Sequence, residues 1–311
     1  MQTAIDARIR AKTIQAKKIA RHHFGRSKAV IEYKPAGKTN FVFQVKNNEG
    51  KYIIRIGKGL DKLNDWKKEQ WAMERAAEKN IPVPKILEIG HKVVSAPYMI
   101  QQSINGHEAS DHPERLNVLE KLGAFARLIH TIPTNSFGSV FDWSEKGLPK
   151  KRTWKSYLEN ELKIGSRLRF LEKHEFLSPG KLAHMRKLCE KIKKWKIAPS
   201  LNHCDLRLKN VLTNNAGDIL AIIDWENASS NIAPYWDLSI ALHDLNIDAK
   251  QKFLEGYGLD TEEFEKMSYA LTVFNLLNYI PTLQRMMERQ DMASLNLYKL
   301  RLNGSLDLFS L

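Results

Sequence analysis

The stretch Leu201–Glu226 constrains this chain more than any other. It carries His203, Asp205 and Asn210 ahead of a short apolar run, Val211 and Leu212. Asn214 to Gly217 follows as a turn signal. Ile219 to Ile223 is a second apolar run, and it ends on Asp224. The pattern predicts a β-hairpin. In an antiparallel pair the start of one strand lies beside the end of the next, so residues distant in sequence meet. Asn210 and Asp224 then offer an amide oxygen and a carboxylate at one mouth, an oxygen-rich pair of the kind that holds Mg²⁺ against phosphate. Asp205 is left to accept a proton from a hydroxyl.

The run His203-Cys204-Asp205-Leu206-Arg207-Leu208-Lys209-Asn210 resembles the catalytic loop of protein kinases, and Ile223-Asp224-Trp225-Glu226 resembles their metal-binding aspartate. The joint pattern is more similar to the aminoglycoside phosphotransferase and choline kinase-like family. There the loop reads His-Gly-Asp-Leu-x-x-x-Asn and the metal aspartate sits in Ile-Asp-Trp-Asp/Glu. Cys204 stands where glycine is usual, so the backbone there must avoid positive φ or tolerate strain. The resemblance extends from Lys28 to Leu242. It implies an α+β, bilobal protein kinase-like fold. A small antiparallel β-rich N-lobe, 1–103, would bind nucleotide. A larger, mainly helical C-lobe, 104–311, would carry the catalytic loop and the acceptor pocket.

The pattern along the chain agrees with that layout. Ile5 to Phe24 predicts a helix, stopped by Gly25. Strands are expected at Ala29–Tyr33, Phe41–Val45 and Tyr52–Ile56, joined by short turns, hence an antiparallel sheet. The loop at Gly37 to Asn40 lies where a kinase covers the ATP phosphates, which makes Thr39 and Asn40 nucleotide candidates by resemblance. Arg55 is a cation in an apolar strand, and arginine suits bidentate phosphate contact; Lys58 is the fallback. Asp61 to Asn80 predicts a helix with Glu69 on the same stripe as Trp66 and Met73. A carboxylate on a buried face needs a cation, and Arg55 is the natural partner.

Ile81-Pro82-Val83-Pro84 ends that helix. Strands follow at Ile86–Gly90 and Tyr98–Gln102, the second resembling an interlobe hinge. Gln101, Gln102 and Ser103 are therefore candidates for the adenine edge. From Pro113 the spacing turns helical and runs to His130; Leu128-Ile129-His130 resembles the end of a core helix in the same family, which implies a structural role for His130. Further helices are expected from Thr153, over Leu182–Trp195 and from Pro234. A break is expected at Gly256–Asp260, with closing helices interrupted at Pro281. By resemblance, Asp237 and His203 support the catalytic loop, and Arg207 or Lys209 steadies the transferring group.

Charge bears on the acceptor. The formal net charge is +14, unevenly spread. Residues 150–196 hold 15 Lys and Arg against 5 Asp and Glu, and residues 224–265 hold 2 against 10. The basic segment is expected to be a solvated helical face, with an anionic partner as the alternative. No nucleic-acid module accompanies it, so nucleic acid is not an expected partner. The acidic segment, with Glu226, Asp244 and Asp248, suits a polycationic acceptor.

Only Cys189 and Cys204 occur, so no disulfide framework is implied. No apolar run spans a bilayer, and Met1–Phe24 lacks the apolar core of a secretory signal. A cytoplasmic enzyme is expected. The resemblance implies ATP, or alternatively GTP, with Mg²⁺, and transfer of the γ-phosphoryl group to a hydroxyl of a small molecule. An aminoglycoside antibiotic, and hence antibiotic resistance, is the first expectation, with a thin likeness to the hygromycin B branch. A choline-, homoserine- or sugar-like metabolite is the alternative. A pseudokinase or basic-surface binding module is the alternative of another class. No pattern assigns an oligomeric state.

Overall fold

The computed structural model describes residues 2–25, 29–35, 40–144, 152–243 and 245–308. In chain order the elements are α1 (Gln2–Phe24), β1 (Val30–Lys34), β2 (Phe41–Asn47), β3 (Gly50–Ile56), α2 (Lys62–Ala77), β4 (Ile86–Gly90), β5 (Tyr98–Gln102), β6 (His107–Glu108), α3 (Arg115–His130) and α4 (Trp154–Ser156). Then come α5 (Ile164–Lys173), α6 (Pro179–Lys193), β7 (Ser200–Asn202), β8 (Val211–Thr213), β9 (Ile219–Ile222), β10 (Ser229–Asn231), α7 (Tyr235–Ala241), α8 (Ile247–Tyr257), α9 (Thr261–Glu288) and α10 (Met292–Leu308).

Two compact units result. The first holds residues 1–112 and 209–226, the second 113–208 and 227–311. The division differs from a single cut after 103. The hairpin at 209–226 packs with the N-terminal residues because its strands join elements there. β8 pairs with β6, and the Ile222 amide donates to the Pro82 carbonyl at 2.8 Å.

The first unit is built on a five-stranded antiparallel sheet in the order β1-β2-β3-β5-β4. Side chains alternate across a strand. Phe43, Val45, Ile54, Ile56, Tyr98 and Ile100 form one face and pack on Ala16, Ile19 and Ala20 of α1. Arg55 lies between Ile54 and Ile56, so it points to the other face, as does Gln101 beyond Ile100. The basic N-terminal helix is thus a cover for the sheet.

The second unit is helical, with a two-stranded ribbon, β10-β7. Its core runs from Phe137, Trp154 and Tyr157 through α5 and α6 to Trp236, Phe274 and Leu277. Thr153 caps the helix expected from it, its side chain accepting from the Ser156 amide. Ser178 does the same for α6, with Pro179 in the first turn, where a missing N–H costs nothing. No helix among the described residues is long and apolar enough to cross a membrane.

Two expected breaks move. Gly256 lies inside α8, and the helix ends at Gly258, whose φ of +78° supplies the left-handed cap. The reason for glycine at 256 is a crossing with α3. A Cβ there would stand 1.8 Å from the Glu120 carbonyl oxygen, and one on Gly123 would stand 2.1 Å from that of Phe253. Pro281 does not interrupt α9, which runs through it. The Leu277 carbonyl it orphans accepts from Arg167 Nη1 on α5 at 2.5 Å.

The crossing yields a test. Backbone cannot move aside as a side chain can. Gly256→Ala is therefore expected to lower stability by about 3 kcal/mol, read as a lower midpoint in urea. Gly180→Ala, where nothing lies near the added Cβ, is the matched control and should change it little.

Candidate active site

In the second unit, β7 delivers a polar loop, His203 to Leu208. Its anchor is Asp237 in the first turn of α7, a side chain with no solvent exposure. The carboxylate accepts from the His203 amide at 2.8 Å, the Cys204 amide at 2.7 Å and His130 Nε2 at 3.1 Å. His130 Nδ1 in turn meets the Tyr257 hydroxyl at 2.8 Å. Burial alone would push the Asp237 carboxyl up. The contacts with His130 and the bond from His203 outweigh it and hold the group below the usual carboxylate range.

Those bonds keep a strained turn. Cys204 adopts φ +64°, so the loop tolerates the left-handed conformation without a glycine. The Asp205 amide donates to His203 Nδ1 at 3.3 Å, which leaves the His203 proton on Nε2. Asp205 itself is buried and lies 3.1 Å from Arg207 Nε. The contact is an ion pair rather than an aligned hydrogen bond, since the Nε–H has no hydrogen-bond acceptor. Arg207, which the resemblance set beside the transferring group, is thus turned to Asp205.

In the first unit, Arg55 meets its expected partner. Its Nη1 donates to Glu69 Oε1 at 2.7 Å, and its Nη2 lies 3.5 Å from Glu226 Oε2. Burial would lower the Arg55 pKa, but Glu69, Glu226 and Asp224 together hold it above its ordinary value. Burial pushes Glu69 up, and Arg55 offsets this only in part. Glu69 Oε2 is buried and has no hydrogen-bond partner.

The hairpin brings Asn210 and Asp224 together as expected. The Ile223 amide donates to the Asn210 carbonyl at 2.9 Å, so the flanking Asp224 begins beside Asn210. Asp224 adopts φ +65°, which Asp accepts better than most residues. Its charge acts on both Arg55 and Glu69. The donor set fits magnesium: hard oxygens, with phosphate and water left to complete an octahedron. No cluster of three or more His, Cys, Asp or Glu able to hold a metal occurs among the described residues, so no all-protein cage competes with that arrangement.

Other expected residues fall differently. Glu226 was expected toward a polycationic acceptor. Instead it is engaged by Arg55 and by Lys62 Nζ, at 3.5 Å each. Two cations claim it. Lys62 was missed, because a lysine opening a helix gives no pattern in sequence. Lys58, the fallback for Arg55, is exposed. The Ser103 amide donates to the Lys51 carbonyl at 3.1 Å and the Gln102 amide to that of Lys85 at 2.8 Å. Neither N–H remains for an adenine edge. The Ile104 N–H, one residue on, has no hydrogen bond among the described residues. Gln101 lies on the Arg55 face, and its buried Oε1 lacks a partner. Asn40 is buried at the entry to β2. Thr39 and Asp244 lie outside the described residues.

The family model of the phosphotransferase enzyme family matches residues 32–270. No curated protein matches the chain. Among solved structures, aminoglycoside phosphotransferase APH(4)-Ia aligns at 17% identity with a TM-score of 0.70, over 95% of this chain and 98% of that one. A thermostable mutant of it, in ternary complex with ADP and hygromycin B, aligns at 17% identity and 0.67, over 93% and 97%. The GDP and kanamycin complex of APH(2")-IIia aligns at 13% and 0.62, over 96% and 97%. At these identities the likeness is one of fold.

The Asp237 anchor gives a pH signature. A carboxyl whose folded pKa is depressed contributes its full stability above the unfolded value, near ~4, and loses it as pH falls toward the folded one. Wild type should therefore lose stability below about pH 4. Asp237→Asn, already weaker by about 3 kcal/mol, should lose less over the same range. Urea midpoints across that range measure both, and parallel curves would remove Asp237 as the cause.

Proposed function

The chain belongs to the phosphotransferase enzyme family, and on that premise we propose that it moves the γ-phosphoryl group of ATP onto a hydroxyl of a small molecule. The observation that carries this reading is the Arg55–Glu69 pair standing in the same unit as the Asn210–Asp224 hairpin mouth. Phosphoryl transfer asks mainly for positioning and charge neutralisation, and those are the groups that supply them.

In this reading Arg55 grips the α- and β-phosphates, with Glu69 fixing its fork. Asn40, buried at the entry to β2, approaches the phosphates by backbone or side chain. Ile104 N–H and Gln101 Oε1 are the unused groups for a purine edge. Asn210 and Asp224 hold Mg²⁺. Held there, it would supply charge neutralisation to the phosphates. Asp205 orients the acceptor hydroxyl and takes its proton as the oxygen bonds the γ-phosphorus and the bond to the β-phosphate oxygen breaks, releasing ADP. Asp237 and His203 keep the Asp205 loop in shape.

The acceptor is an aminoglycoside-type polycation on the strength of the hygromycin B and kanamycin complexes of proteins with this fold. One observation favours the second reading, a metabolite: Glu226, one of the carboxylates a polycation would want, already faces two cations.

Purified protein with ATP, Mg²⁺ and a panel of hygromycin B, kanamycin and small hydroxyl compounds tests the reaction by ADP release. Acceptor-dependent ADP release is expected, falling at least about a hundredfold in Asp205→Ala. Release that survives in Asp205→Ala would take that residue out of the mechanism. Glu69→Gln, which keeps the shape but removes the charge that orients Arg55, should raise KM for ATP about tenfold. An unchanged KM would reduce the pair to a structural one.

A further inference from the structure

Lys62 opens α2, and it is positioned at both ends of its side chain. A Cβ on Gly57 would stand 3.1 Å from the Lys62 Cβ and 3.2 Å from its Cγ, so the lysine's stem lies against the residue that follows β3. Its ammonium meets Asp65 Oδ2 at 2.9 Å and Glu226 Oε2 at 3.5 Å. Arg55, on β3 itself, brings its Nη2 to the same Glu226 oxygen, also at 3.5 Å. One anionic oxygen therefore bridges two cations. Burial would lower the Lys62 pKa, but Asp65 and Glu226 hold it above its ordinary value, so the lysine keeps its charge.

The bridge is the loosest part of the cluster. A charge-assisted hydrogen bond closes to about 2.7–2.9 Å. Glu69 reaches that distance on Arg55, at 2.7 Å, with its side chain 2% exposed. Both Glu226 contacts are longer, and its side chain is 20% exposed. Contacts of that length in partly solvated surroundings gain only modest Coulomb energy. The backbone beside it is held: the preceding Trp225 is buried, and its indole donates to the Ile222 carbonyl at 2.9 Å. Withdrawal of Glu226 asks only for a side-chain rotation. Charge requires such a withdrawal. Arg55 and Lys62 answer to Asp65, Glu69, Glu226 and, through its field, Asp224. Carboxylates outnumber cations among these groups, so an entering polyanion is repelled until one of them gives way.

A phosphate oxygen offers the charge and the acceptor that Glu226 Oε2 now supplies, and a polyphosphate offers several. Resting on the phosphotransferase reading, and going beyond its single phosphate-gripping cation, we propose that Glu226 is an internal stand-in for phosphate. Until nucleotide binds, it bridges Arg55 and Lys62; nucleotide phosphates then displace it and take both cations. Lys62 is thereby a second phosphate-binding residue, and Glu226 is a built-in competitor that sets nucleotide affinity.

Calorimetry on the full chain reads this exchange. Glu226→Gln keeps the shape and removes the competing charge, so Kd for ATP and for ADP should fall about fivefold or more, with Mg²⁺ and in EDTA alike. Adenosine, which carries no phosphate, is the control and should bind both proteins equally. Lys62→Met, which keeps the stem on Gly57, should raise Kd for ATP about tenfold and leave adenosine unchanged. In the absence of nucleotide, Glu226→Gln should lower the urea midpoint, because two cations lose a counter-charge. Tighter binding beside lower stability is a pattern that a merely structural carboxylate does not give. Equal or weaker ATP binding by Glu226→Gln overturns the stand-in, and weakening confined to Mg²⁺ assigns Glu226 to the metal instead. An unchanged Kd in Lys62→Met removes the lysine from the site. If ATP, ADP and inorganic tripolyphosphate bind as stated but no acceptor releases ADP, the phosphotransferase reading fails and the exchange stands. If acceptors release ADP while Glu226→Gln binds ATP no more tightly, the exchange fails and that reading stands. No binding of any of the three by either protein overturns both.

Discussion

A fully buried carboxylate, Asp237, is what the second unit's loop at 203–208 depends on. It accepts from two successive amides, His203 and Cys204, and from His130. Amides from neighbouring residues converge on one acceptor only where the chain turns sharply, and here the turn places Cys204 at positive φ. The strain and the anchor belong together. A left-handed residue with a Cβ costs on the order of 1–3 kcal/mol, and charge-assisted bonds to a buried carboxylate are of the size needed to offset it. Asp205 follows directly on this turn and adds its own amide bond to His203 Nδ1 and its contact with Arg207.

The first unit reaches its geometry through strand alternation. Ile54 and Ile56 bury against α1, so Arg55 must face the other way, toward α2 and Glu69. The buried pair is tense on both sides. Burial works against each charge, and Glu69 keeps one oxygen without a partner. Cations and carboxylates accumulate there: Arg55 is acted on by Glu69, Glu226 and Asp224, and Lys62 shares Glu226. Such a cluster is poised for a polyanion, because phosphate oxygens can take over the cations that Glu226 now engages.

The two units treat lone charges differently. Arg55 is compensated by carboxylates before any ligand arrives, whereas Arg167 donates to the Leu277 carbonyl. The basic surface that stands out in the sequence bears little on this. Lys191 packs over the Tyr269 ring, and Lys193 and Arg186 pair with nearby glutamates. Net charge is a poor guide to the site because solvated lysines dominate the total, while the charge that discriminates ligands is the one removed from water.

From its sequence alone the chain announced a hairpin with Asn210 and Asp224 at one mouth, an antiparallel sheet, and the Arg55–Glu69 pair. Each follows from a local period, two for strands and about 3.6 for helices, plus the rule that a buried carboxylate needs a cation. Strand order, the membership of 209–226 in the first unit, the claim of Arg55 and Lys62 on Glu226, and the commitment of the Ser103 amide were decided only by tertiary structure. So was the survival of α9 through Pro281, where Arg167 bonds the Leu277 carbonyl. The reason is physical. Periodicity records which face of an element is buried, but not which of many polar groups will find a partner once elements distant in the chain are packed together.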